Sequence, residues 1–322
     1  MHPQNSTLLS LFLFYLVATI HANDDQAFEC VDIYKQPSLQ HPLLKNHKLQ
    51  ITSSSKRTSS ICPRGMVPIH KLRNKVNSNF ARDAVNWATL DTKTESKKYH
   101  GASAVVSIHN PTFSGKDTRA QIMIENGESP QGINCIVFGW AIDPELYGDN
   151  MTHFTTYWTS DGFQKTGCYN TKCKGYIQQF SELYAGKPFD PVSTYGGQQV
   201  VANLSIIRDG DTGNWMLTNY GALVGYWPKE IFTSLGSGAD TIRYGGVAVN
   251  GAPMGNGQFP DNGNDLNKSS YFKDMAYIDA NFQKQPINEL EMNVNVPKPN
   301  CYKLNYLKDQ LTITYGGPGG SC

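Results

Sequence analysis

No histidine lies beyond residue 153. The chain has eight, His2, His21, His41, His47, His70, His100, His109 and His153. No H-E-x-x-H or C-x-x-C motif groups them with other ligands, which argues against zinc chemistry. A serine triad lacks support too. There is no G-x-S-x-G elbow, and "LGSGAD" does not supply one. The C-terminal "GGPGG" has no Lys-Ser or Lys-Thr after it, so it is a turn-rich tail and not a phosphate loop. Charge of either sign is scarce at 17% of residues, and 28 basic side chains nearly cancel 27 acidic ones. That balance excludes partners recruited by bulk charge, meaning nucleic acid and anionic membrane. No apolar run after the N-terminus is long enough to span a bilayer.

The one long apolar run is Leu8 to Ile20, of signal-peptide length and closed by Ile20-His21-Ala22. Residues 1–22 therefore read as a signal peptide, although the stretch before the run holds His2 and no Lys or Arg. The expected location is secreted or vacuolar. An oxidising compartment gives the seven cysteines meaning. Cys168 and Cys173 flank a short loop and can bridge it. Cys301 and Cys322 bracket the last segment. Cys30 and Cys62 are candidates for a third pair, which leaves Cys135 as a buried thiol, although spacing alone leaves the pairing of these three open. Asn150, Asn203 and Asn267 each begin an N-x-Ser/Thr sequon and are candidate glycan sites; Asn203 lies in an alternating, strand-like stretch.

Glycine and tyrosine are plentiful, at 29 and 17 residues, in a chain of 322 with 39% hydrophobic residues. That mixture suits short strands and tight turns around a sizeable core. From about residue 100, strand-length runs alternate and end at Gly, Asn, Asp or Pro: "RAQIMIENG", "INCIVFGWAI", "MTHFTTYWTSDG", "TIRYGGVAVNG". The expected class is mainly β, an antiparallel β-sandwich over 98–322. Residues 23–97 are more polar and basic, with "TSSSKRTSS" at 52–60, and read as a smaller pro-segment. Two helices are expected, Phe80 to Leu90 from its spacing and a short one from Pro228 to Gly236.

The remaining chemistry is carboxylate chemistry. Two acids in a groove can share acid and base roles because they do not ionise equally. Here the acids gather in turns, "DPELYGD", "RDGDTG" and "PDNGNDLN", where capping the backbone is the ordinary role.

"CVDIYKQPSLQHPLLKNHKLQ" at 30–50 and "CPRGMVPIHK" at 62–71 resemble the activation peptide of the plant neprosin family. "GWAIDPELYGDN", "TTYWTSDGFQKTGCYNTKCKGYIQ", "GNWML", "VGYWPKEIFTSL", "YGGVAVN", "MGNGQFP" and "SYFKDMAYID" resemble its catalytic domain in order. The resemblance implies a secreted protein with an inhibitory N-terminal segment and a β-sandwich peptidase that cuts after proline in acid. It implies no metal or organic cofactor, and a pair of glutamates as acid and base. The first glutamate position, two residues before Gly139-Trp140, is Val137 here; the second, after Gly245-Gly246, is Val247. Valine transfers no proton, so the expectation is no catalytic residue at either dyad position. The two valines are expected to pack across a dry groove lined by Trp140, Tyr157, Trp158 and Tyr244, although core packing suits Trp140 and Trp158 as well. The expected function is a disarmed peptidase scaffold that binds proline-rich peptides or extracellular proteins and its own pro-segment. An acid prolyl endopeptidase using other carboxylates is the alternative.

Overall fold

The computed structural model describes residues 27–51, 61–71, 85–93, 97–112, 117–128 and 131–321. The signal-peptide stretch and Cys322 lie outside them. Among the described residues no helix is long and apolar enough to cross a membrane.

The strands run in chain order as follows. β1 is Phe28–Asp32, β2 Met66–His70, β3 Val85–Thr92, β4 Gly101–Ser107, β5 Asp117–Asn126 and β6 Asn134–Ile142. After the short helix α1, Pro144–Tyr147, come β7 His153–Thr159, β8 Cys168–Tyr169 and β9 Ile177–Gln178. Then follow β10 Val201–Arg208, β11 Trp215–Asn219, β12 Ala222–Trp227 and β13 Thr241–Val249. The last are β14 Ser270–Ile278, β15 Lys284–Pro286, β16 Met292–Asn295, β17 Lys303–Leu307 and β18 Thr312–Gly316.

Two antiparallel sheets face each other. One has the order β17-β18-β14-β4-β10-β11-β12-β9, with β15 on β14; the other has the order β16-β3-β13-β5-β6-β7-β8. Side chains alternate across a strand, so β6 sends Ile136, Phe138, Trp140 and Ile142 inward. They meet Ala104, Val106, Leu204, Trp215, Phe272 and Tyr315 of the opposite sheet in one apolar core. This is the expected antiparallel sandwich. The other face of β6 is also buried. Cys135, Val137 and Ala141 lie under a second apolar layer with Met123, Tyr147, Tyr157 and Tyr169.

Three expectations fail. Of the stretch expected as helix from Phe80 to Leu90, residues 80–84 lie outside the described residues and the rest belongs to strand β3, paired with β13 from Asp91↔Arg243 to Val85↔Val249. Helical spacing of Ala84, Val85 and Ala88 was a coincidence; sheet pairing decides the conformation. β3 also belongs to the sandwich, so a boundary at 97 would cut through its sheet. The expected helix from Pro228 to Gly236 is two separate 3-10 turns, Lys229–Ile231 and Leu235–Ser237. The backbone leaves helical geometry at Phe232, ψ 148°, and at Gly238, φ 110°, so neither turn continues.

The N-terminal segment forms a ribbon, β1 against β2, closed by the Cys30–Cys62 disulfide. It packs along the side of the sandwich. The Gln36 carboxamide pairs with both backbone groups of Gln178 on edge strand β9, at 2.9 Å each. That side chain occupies the unpaired edge in the manner of another strand. His47 and the Gln50 amide both reach the Tyr226 hydroxyl, at 2.9 and 3.0 Å. A second disulfide joins Cys168 and Cys173, Cys301 is also disulfide-bonded, and Cys135 is a buried free thiol.

Candidate functional site

The outer face of the seven-stranded sheet carries a groove of about 430 Å³. Strand register builds it. One row across the strands reads Asp91, Arg243, Met123, Val137 and Tyr157. The next row reads Thr89, Gly245, Gln121, Gly139 and Thr155. Trp87, Val85 and Asn295 close one side, and Gly162, Phe163 and Gln164 the other. No described residue of 27–71 lines it.

The Phe163 loop is held by Asp161. Its carboxylate accepts from the Thr166 hydroxyl at 2.6 Å and from the amides of Lys165 and Thr166 at 2.9 Å. Asp161 is partly desolvated, yet these donors hold its carboxyl below the usual range. Phe163 stacks on Tyr157 with ring centres 5.8 Å apart.

Charge in the groove centres on Arg243. Its guanidinium donates to Asp91 at 2.8 Å and to Glu125 at 3.4 Å. Burial pushes the Glu125 carboxyl up, against the opposing pull of Arg243. Burial would lower Arg243, but Asp91 and Glu125 hold it above its ordinary value. A second network lies at the far end of β5. Buried Arg119 donates from Nε to Asp117 at 2.8 Å, and Asp143 lies 3.9 Å from it. Desolvation, then repulsion from Asp117, raises Asp143 to about 6. Asp143 also caps α1, accepting from the Leu146 amide at 3.0 Å. Among the described residues no cluster of His, Cys, Asp and Glu is arranged to hold a metal.

The family model for Neprosin matches residues 114–318. The chain belongs to the neprosin family. Among solved structures it resembles scytalido-glutamic peptidase with a peptide-based transition-state analog. That match has TM-score 0.42 and 14% identity, covering 72% of this chain and 98% of that one. It also resembles SCP-B, an eqolisin-family peptidase in complex with the tripeptide Ala-Ile-His, at TM-score 0.40 and 12% identity, over 72% and 98% of the chains.

Within this neprosin sandwich the positions singled out from sequence separate. Val137 lines the groove and pairs directly with Tyr157. Val247 does not line it. Val137 pairs with Met123 and Val247 with Arg119 on the same strand β5. The two valines are therefore offset by about 13 Å along the strands and about 10 Å across them. They do not pack against each other across a groove, which corrects that expectation. The residue in Val137's own row on β13 is Arg243.

Trp140, Trp158 and Tyr244 are corrected as well. Their positions have inward parity, and all three belong to the inter-sheet core. Trp140 donates to the Ser107 carbonyl at 2.8 Å and Tyr244 to the Ala276 carbonyl at 2.8 Å, both in the opposite sheet. Trp158 packs against Phe232 and His41. Of the four aromatics, Tyr157 alone faces the groove.

The sequence reading passed over Trp87, Gln121, Glu125, Phe163 and Arg243. A signal existed for some. Within "RAQIMIENG", Arg119, Gln121, Met123 and Glu125 share one parity, and polar groups at alternate places in an apolar strand mark a solvated or ligand-facing side. Among the sequons, Asn150 and Asn267 are exposed, while Asn203 is half-buried within β10.

Proposed function

We propose that this neprosin-family protein acts outside the cytosol, where it binds extended proline-containing peptides in the outer-face groove without cleaving them. The observation that carries the reading is the row through Val137. It places an apolar side chain on β6 and a guanidinium on β13, and that guanidinium engages both neighbouring acids, Asp91 and Glu125. Water activation with protonation of a leaving amine needs two carboxyl groups free to exchange protons. Arg243 engages both acids, and valine exchanges no proton.

The walls suit the ligand. Trp87, Met123, Val137, Tyr157 and Phe163 offer apolar and ring surfaces, the kind that accepts proline in its extended left-handed helix. The disulfides, with exposed sequons at Asn150 and Asn267, fit an extracellular or vacuolar setting. The described residues 27–51 and 61–71 are the intramolecular partner of the sandwich side.

One observation favours a second reading, an active acid prolyl endopeptidase. Glu125 lines the same groove as Val137, with its carboxyl pushed up by burial. The test is cleavage of a quenched proline-containing peptide at acidic pH. The unmodified chain is compared with Glu125→Gln, Val137→Glu/Arg243→Glu and Val137→Glu/Val247→Glu. Binding without cleavage by the unmodified chain supports the proposal. Cleavage by the 137/243 variant and not by the 137/247 variant supports the row as the catalytic geometry. Cleavage by the unmodified chain that Glu125→Gln abolishes establishes the second reading.

A further inference from the structure

The floor of the groove has an unusual row. Gln121 sits between Gly245 on one neighbouring strand and Gly139 on the other. Both glycines are required by the backbone. A Cβ on Gly139, at φ +155°, would lie 2.0 Å from the Ala120 carbonyl, and one on Gly245, at φ +152°, 2.2 Å from the Ala88 carbonyl. The row is therefore a trench in which neither glycine puts a side chain beside the carboxamide, and Gln121 alone of its five residues lines the groove.

That carboxamide is 5% exposed and lines the groove. It makes no hydrogen bond to any described residue. Its polar atoms are not sealed in the protein but open to the groove, so a ligand can take the place of water on them. The carboxamide offers two donor hydrogens and an acceptor oxygen. Its natural complement is a peptide group, with one donor and one acceptor. The tertiary amide before a proline keeps only its acceptor, which the Gln121 amine can still serve.

We infer that Gln121 is the polar anchor of the groove, hydrogen-bonding a main-chain amide of an extended peptide that lies in the trench between Gly139 and Gly245. The inference deepens the reading of this groove as a peptide site and rests on it. Such a peptide runs across the strands of β13, β5 and β6. Its main chain meets Gln121 while one side chain or proline ring enters the apolar pocket by Val137 and Tyr157. Recognition at Gln121 is then blind to side-chain identity, and the aromatic walls supply the selectivity.

The probe is a fluorescein-labelled octapeptide of alanines with one central proline, together with a set in which each amide in turn is replaced by an ester. Binding is measured by anisotropy to the full chain and to its Gln121→Leu and Phe163→Ala variants, with melting temperatures recorded. The expected result is a roughly tenfold loss in Gln121→Leu, the size of one neutral hydrogen bond, with no fall in melting temperature. One ester position should weaken wild-type binding similarly and leave Gln121→Leu unaffected. An all-alanine octapeptide should lose as much on Gln121→Leu as the proline peptide does. Binding that Phe163→Ala weakens and Gln121→Leu leaves unchanged overturns the anchor and keeps the groove. Binding that neither substitution weakens, or no binding by the wild type, overturns both.

Discussion

Acidification should loosen the N-terminal ribbon from the sandwich, and His70 gives the size of the effect. The ring of His70 on β2 lies against Gly186, edge-on to Tyr147 at 5.8 Å and to His153 at 6.0 Å. Its Nδ1 is buried with no hydrogen-bond partner. His153 faces it from β7, held between the Gly186 carbonyl at 2.7 Å and Asp149 at 2.9 Å. Desolvation, then repulsion from His153, lowers His70 from 6.5 to about 4, against a smaller opposing pull from Asp149.

The docked base binds its proton less readily than the free one. Docking is therefore at full strength above about pH 6.5 and weakens as pH falls toward 4. A shift of that size is worth about 3 kcal/mol by pH 4. His41, near Lys174, and His47, near Glu230, are also lowered chiefly by burial and act in the same direction. The assay is amide hydrogen exchange of β1 and β2 between pH 7 and pH 4, corrected for intrinsic rates, in the unmodified chain and in His70→Leu. Protection of the ribbon should fall by about two orders of magnitude in the former and by much less in the latter. Equal protection at both pH values in the unmodified chain, or an equal fall in His70→Leu, would refute the reasoning.

Arg243→Leu should destabilise the fold by about 2–3 kcal/mol near pH 7, less than the ~3–5 of a fully buried pair, because Asp91 and Glu125 lose their cation. The cost should shrink as pH falls and Glu125 protonates, which denaturant melts at pH 7 and pH 4 would show. Cys30→Ser should cost the ribbon about 3–4 kcal/mol from the loop the disulfide closes; limited proteolysis near residue 62 should appear in the variant and not in the parent. Gly139→Ala should cost about 3 kcal/mol or more, since the new methyl meets the Ala120 carbonyl in a sheet with no room to shift; a melt unchanged from the parent would count against the trench geometry.

Much of this protein was legible along the chain. Alternation in "INCIVFGWAI" and "TIRYGGVAVNG" marks strands, because side-chain parity is a local property of extended backbone. The same parity sends Ile136, Phe138 and Trp140 inward, and the turn acids cap loops, as Asp161 does. The family is carried by motifs readable residue by residue, and so is the absence of an acid at Val137.

Register was not legible. Which residue of β13 stands across from Val137 depends on how β5 pairs with both neighbours; the β5–β6 side is a local hairpin, but the β5–β13 side is made by contacts more than 100 residues apart in the chain. Motif matching pointed to Val247; hydrogen-bonded pairing put Arg243 there instead. The same non-local pairing drew the end of the helix-like stretch at 80–90 into strand β3 and set Trp87 at the groove wall. It also brought Gly245 and Gly139 to either side of Gln121, which no single strand reveals. Local sequence determines which face a side chain takes. The sheet alone decides its neighbours, because each rests on another strand.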